Sequence, residues 1–173
     1  MINSDATHFE SDKIIGLETA AKKISNLRKS NKTAGLCHGG FDLLHPGHIK
    51  HLESAAKLCD HLIVSITSDR FVALRKGKNR PIFSENLRAY SIASIRYVDY
   101  VVISDFELAI EVLEILKPSF YIKGPDFIGK DTPGIVAEIR KTESIGGKII
   151  FTNDEKLSTT QIIDYIRQNL KEV

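Results

Sequence analysis

The sequence predicts an α/β chain: a three-layer sandwich with a five-stranded, mostly parallel sheet and helices on both faces. Three observations carry this. Short apolar runs rich in Ile and Val alternate about five times with longer stretches of helical periodicity. The 173 residues fit one domain that buries a core without covalent staples. The residues suited to chemistry fall in loops after the apolar runs, where open parallel sheets bind ligands.

The elements follow in order. Residues 1–11 are polar and hold no apolar signal core, so a flexible tail is expected, with 12–173 as a single domain. Ile14, Ile15, Leu17, Ala21, Ile24 and Leu27 recur at helical spacing and predict a helix within 12–31. Residues 33–38 form a first strand, and a glycine-rich turn leads to a helix over 47–58. Residues 61–67 form a second strand. A basic loop, RKGKNRP, covers 75–81. Ser84 is placed to cap a helix over 84–96. Residues 98–103 form a third strand. The helix over 106–116 stops before Pro118, which cannot continue it. Residues 120–123 form a fourth strand, and the loop after it contains GPDF. A helix over 135–144 ends at Gly146 and Gly147. A fifth strand over 148–152 and a helix over 158–170 complete the chain. This doubly wound pattern is Rossmann-like.

Composition narrows the function classes. The net charge of +2 argues against a strongly basic nucleic-acid binder while allowing local phosphate sites. The two cysteines, Cys37 and Cys59, lie in apolar stretches and are expected as buried free thiols. No stretch is long and apolar enough to span a bilayer, so a soluble cytoplasmic protein is expected.

Four segments carry chemistry. Gly39, Gly40, Phe41 and Asp42 are followed by His45-Pro46-Gly47-His48 at a helix start. Glycines let a ligand approach the backbone, and a helix N-terminus offers free N–H groups to phosphate. Two histidines three apart there can address one anion. Lys76, within the basic loop, can neutralise a leaving pyrophosphate. Ser158, Thr159 and Thr160 open the last helix, where hydroxyls both cap and bind phosphate. Lys123, Gly124 and Asp126 follow the fourth strand; they form either a substrate contact or a structural turn. Asp42 and Asp69 lie at strand ends, where Asp69 could bind an acceptor hydroxyl and Asp42 could cap the turn. His38 ends the first strand, where it could line the site, and His51, one turn past His48, could be exposed. No spacing matches a zinc-ligand pattern.

The segment CHGGFDLLHPGHIKHL, with KGKNRP, YIKGPDF and LSTT in the same order, resembles the HxGH (cytidylyltransferase-like) nucleotidyltransferase superfamily. Within it, the chain is most similar to the adenylyltransferase domain that acts on heptose 1-phosphate, with glycerol-3-phosphate cytidylyltransferases next. The resemblance implies transfer of a nucleoside monophosphate from ATP or CTP, with Mg2+, to a phosphorylated small molecule. It implies catalytic roles for His45, His48 and Lys76. It implies nucleotide contacts for Gly39, Gly40, Phe41, Arg88, Lys123, Gly124, Ser158, Thr159 and Thr160. Asp42, Asp69 and Asp126 are left for the acceptor. It also implies a homodimer, with no nucleic-acid or membrane partner. Asn153 stands where the cytidylyltransferases carry an arginine. A non-catalytic NTP-binding module and a class I aminoacyl-tRNA synthetase fragment are the rival classes.

Overall fold

The computed structural model describes residues 1–3, 8–77, 79–155 and 157–170. Five strands, β1 (Ala34–Gly39), β2 (His61–Thr67), β3 (Tyr100–Ser104), β4 (Phe120–Lys123) and β5 (Lys148–Phe151), form one sheet in the order β3-β2-β1-β4-β5. All pairings are parallel. The helices are α1 (Leu17–Lys29), α2 (Pro46–Ala56), α3 (Asp69–Lys76), α4 (Glu85–Ala93), α5 (Ile110–Leu116), α6 (Pro133–Ser144) and α7 (Thr159–Asn169).

Alternation along the strands builds two cores. Cys37, Leu62, Val64 and Ile66 meet Leu52 and Ala55 of α2 and Ala89 and Ile92 of α4. Leu36, Ile63 and Tyr121 meet Ala20 and Ile24 of α1 and Val112 and Leu113 of α5 on the other face. Each fully buried aliphatic side chain contributes about 1.5–3 kcal/mol against its exposed state.

Several expected boundaries move. The first helix begins at Leu17, not at 12, because Lys13 and Ile15 exchange backbone hydrogen bonds with Val101 and extend the edge beside β3. Within the expected loose tail, Ile2 is tied by backbone bonds to Ile82 and Ser84, and Phe9 packs edge-on against Tyr90. Ser84 does precede α4, but its hydroxyl makes no capping bond. The segment after β2 forms α3, a helix absent from the sequence expectation. It is preceded by Ser68 and stopped by Gly77 at φ 98°. Arg75 and Lys76 therefore sit on a helix end rather than in a free loop, and Lys78 lies outside the described residues. Cys37 is buried and Cys59 partly so, and both are free thiols.

Gly35 allows β1 to pass close to its neighbours. A Cβ there would lie 2.7 Å from Cys59 Sγ and 2.9 Å from Ile122 Cδ1. Gly35→Ala is expected to overpack this contact and destabilise the chain by about 1–3 kcal/mol, read as a lower midpoint in urea unfolding.

Candidate active site

The chain reverses its winding between β1 and β4, the switch point where open sheets leave a crevice. These strands pair at Gly35–Phe120 and Leu36–Tyr121. Past those pairs, His38, Gly39, Ile122 and Lys123 line a cleft of about 740 Å3. The cleft brings together His45, His48 and Lys76. It also collects Gly39, Gly40, Phe41, Lys123, Gly124, Ser158, Thr159, Thr160 and Asp126. Segments distant in sequence thus share one wall.

His45 takes extended backbone angles before α2, and Pro46 occupies the first helical position, where its missing N–H is no loss. The two imidazoles stack, with centroids 3.8 Å apart. Gly47 makes room for this. A Cβ there would stand 3.0 Å from His45 Cε1 and 3.0 Å from Leu157 Cβ. Phe41 holds a left-handed φ of 43° and sets its ring edge-on to His48 at 5.3 Å. A bulky residue in that region marks strain retained by its surroundings. The Nδ1 atoms of both histidines are buried without a protein partner. Leaving such an atom unsatisfied costs about 1–3 kcal/mol.

Desolvation holds both imidazoles below the ordinary histidine range. His45 adds to the effect on His48, and Lys76 acts on both. His48 is pushed down to about 3. Both rings are therefore neutral at pH 7 in the free protein. The Lys76 ammonium reaches to 3.9 Å from where a Gly40 Cβ would be. Desolvation and then Arg80 lower its pKa.

The last helix is anchored beside the histidines. Ser158 Oγ accepts from Gln161 N at 3.1 Å, and Gln161 Oε1 accepts from Ser158 N at 2.9 Å, a reciprocal cap. The hydroxyl proton of Ser158 and the first N–H groups of α7 are not consumed by that cap. Thr159 Oγ1 donates to Leu43 O at 3.4 Å. His51, which the sequence left free to be exposed, instead lines the cleft, with Nδ1 2.9 Å from Thr152 Oγ1. Ser54 donates to Asp154 Oδ1 at 2.7 Å, so α2 holds the segment leading to α7.

Three expected contacts lie behind the wall. Arg88 is fully buried and donates to Phe83 O, Gly40 O and Thr67 O, and to Asp69 Oδ1 at 2.7 Å. It braces the glycine turn and does not line the cleft, and its partner Asp69 is likewise off the wall. Asp42 is buried and accepts from Arg80 Nε and Ile82 N. Its carboxylate holds the segment after α3, leaving nothing for an acceptor. Lys123 does line the cleft, yet its ammonium is engaged. It donates to Glu138 Oε2 at 2.5 Å and Tyr121 Oη at 3.1 Å, and lies 4.1 Å from the Phe127 ring centre.

The sequence left several cleft residues without a role. Arg75 and Arg80 were visible as a basic run. Glu138 gave no signal, being an ordinary glutamate in a helix until the fold sets it against Lys123. His38, placed by the sequence where it could line the site, does so and forms part of the floor. Its Nδ1 lies 3.1 Å from Ser65 Oγ, its Nε2 lies 3.3 Å from Thr67 Oγ1, and desolvation lowers its pKa to about 4.

A parallel sheet whose switch-point cleft gathers two stacked imidazoles, a lysine and a capped helix start is the architecture of an HxGH-type nucleotidyltransferase. The chain belongs to the cytidylyltransferase-like family, whose sequence model matches residues 36–165. It is 37% identical over 168 residues to the bifunctional protein HldE of Campylobacter fetus subsp. fetus, covering 96% of this chain and 34% of that protein. With the HldE of Aliarcobacter butzleri it shares 38% identity, covering 90% and 30%. The chain thus spans about a third of the length of these relatives. Among solved structures it is similar to a lipopolysaccharide core biosynthesis protein of Thermoplasma volcanium. That match has a TM-score of 0.61 and 28% identity, over 72% of this chain and 99% of the other. A pantoate-beta-alanine ligase of Francisella tularensis, 16% identical with a TM-score of 0.53, shares the fold.

Two outcomes follow from this site. Arg88→Met leaves three carbonyls and Asp69 without their donor. It is expected to destabilise the chain by about 3 kcal/mol or more, measured by urea unfolding. The folded pKa values of His38 and His48 lie below the unfolded value of about 6.5. Between pH 6.5 and about 4 the unfolded chain therefore binds more protons, so stability falls as pH falls. His38→Gln is expected to shrink the stability difference between pH 7 and pH 5, and an unchanged difference would refute the assignment.

Proposed function

We propose that this chain transfers a nucleoside monophosphate from ATP or CTP to the phosphate of a sugar 1-phosphate, releasing pyrophosphate. The observation that carries the reading is the convergence of His45, His48, Lys76 and the α7 start on one cleft. The sequence resemblance to heptose-1-phosphate adenylyltransferases supports the acceptor class and favours ATP. The resemblance alone supports a cytoplasmic homodimer. Among the described residues no helix is long and apolar enough to cross a membrane.

An acceptor phosphate oxygen attacks the α-phosphorus. A new P–O bond forms there, and the bond to the bridging oxygen of the β-phosphate breaks, its electron pair leaving with pyrophosphate. A phosphate monoester is nucleophilic at neutral pH and needs no general base. The protein's task is positioning and neutralising charge. Neutral His45 and His48 donate N–H groups to the α-phosphate region. Negative charge from the nucleotide raises their pKa, so binding draws protons toward the pair. Lys76 and the α7 start hold the β- and γ-phosphates.

Among the described residues no three His, Cys, Asp or Glu side chains are grouped as a metal cage. Mg2+ keeps several waters and is held largely by substrate phosphate oxygens, so it needs no protein cage. When bound, the ion neutralises triphosphate charge.

The test is pyrophosphate release with ATP or CTP against a panel of sugar 1-phosphates and glycerol 3-phosphate. Turnover with a sugar 1-phosphate is expected, and release with none of the panel would overturn the reading. His48→Ala is expected to lower kcat by roughly 100-fold with folding intact by circular dichroism. Near-normal turnover would remove the histidine from the mechanism.

A further inference from the structure

The cleft must hold two anions, yet the contacts described so far address only the triphosphate. The positive side chains on its wall can be sorted by what already occupies them. Arg80 is tied to Asp42. Lys123 is tied to Glu138, Tyr121 and the Phe127 ring. The Lys130 ammonium lies 5.7 Å from the Phe127 ring centre. Arg75 and Lys76 remain: both line the cleft, and neither side chain has a hydrogen bond, ion pair or ring contact among the described residues.

These two cations occupy successive positions in the last turn of α3, about 100° apart around the helix axis, so they diverge. Lys76 extends toward Gly40 and acts electrostatically on His45 and His48. Arg75 acts on Lys76 too, and also on His38, Tyr121 and Lys123, on the β4 side of the cleft. The loop beyond β4 brings Asp126 and Thr132 into the same cleft, where Asp126 also acts on His45 and His51. The two cations thus enter one cleft by different paths, Lys76 toward the glycine turn and Arg75 toward the end of β4.

We propose that Arg75 is the ligand for the acceptor's phosphate, gripping it from the β4 side of the cleft while Lys76 holds the nucleotide. This rests on the transferase reading above. The chemistry suits the residue. A planar guanidinium donates two parallel N–H groups to a phosphate monoester. It leaves a third oxygen free to attack. It also offsets the repulsion between the acceptor and the triphosphate. The Lys123–Glu138 pair sets the floor beneath that phosphate without adding a free charge. The acceptor class that fits is an anionic monoester whose polar body contacts Asp126 and Thr132.

The test measures binding apart from turnover. Inorganic phosphate and a hexose 1-phosphate are titrated calorimetrically into the chain saturated with Mg2+ and a non-hydrolysable ATP or CTP analogue. Arg75→Gln is expected to weaken both phosphate probes by roughly 10- to 100-fold, with the analogue's own Kd unchanged within about twofold. Arg75→Lys is expected to recover part of the loss. Three outcomes would overturn the assignment. Phosphate binding could be equal in wild type and variant, the nucleotide analogue could lose as much affinity as the phosphate, or wild type could bind neither probe. Binding through Arg75 without pyrophosphate release from any acceptor would instead refute the transferase reading and leave the phosphate site standing.

Discussion

The parting of β1 from β4 is the constraint on which the rest of the structure depends. Backbone pairing between them stops after Leu36 and Tyr121, and the switch in winding sends the following helices to opposite sides. No side chain is needed to open the crevice; strand order does it. Everything with chemical potential then arrives at the rim on an element end: the stacked histidines at the start of α2, the cations at the end of α3, Lys123 at the end of β4 and the capped start of α7. Gly47 lets the start of α2 lie close to Leu157, beside the start of α7.

Charge is arranged around that opening in two tiers. Behind the wall, Arg88 pairs with Asp69, and the buried Asp42 anchors Arg80 of the wall. These pairs hold the glycine turn and the segment after α3 in place. At the wall, neutral imidazoles and unpaired cations are left to the ligand. The lowered pKa values of His45, His48 and Lys76 express the strain of holding such groups in a partly dry site. Rigid pairing behind supports unsatisfied groups in front, a division suited to binding phosphates without rearrangement.

The local signals were legible where a residue acts through its immediate neighbours. Pro46 at a helix start, Ser158 as a cap, Pro118 after α5 and the Gly146-Gly147 stop all held their positions because turn and cap chemistry spans only a few residues. The eight-residue α3 was missed although Ser68 and Gly77 bracket it. Its one buried residue, Val72, leaves too little periodicity in so short a run. Ile14 and Ile15 mimicked helical spacing and in fact run beside β3, since an apolar pair satisfies either a helix face or a sheet edge.

From the sequence alone came the alternating architecture, the family, and the segments that meet at the cleft, because periodicity, caps and short motifs are written in consecutive residues. The tertiary structure alone decided which charged groups are free. Asp42 and Arg80 are 38 residues apart, Asp69 and Arg88 are 19 apart, and Lys123 and Glu138 are 15 apart. An arginine or lysine looks the same in sequence whether a distant carboxylate neutralises it or not. Only the path of the chain brings the partners together, and so only the fold separates Arg88, a brace, from Arg75 and Lys76, which line the cleft without a partner among the described residues.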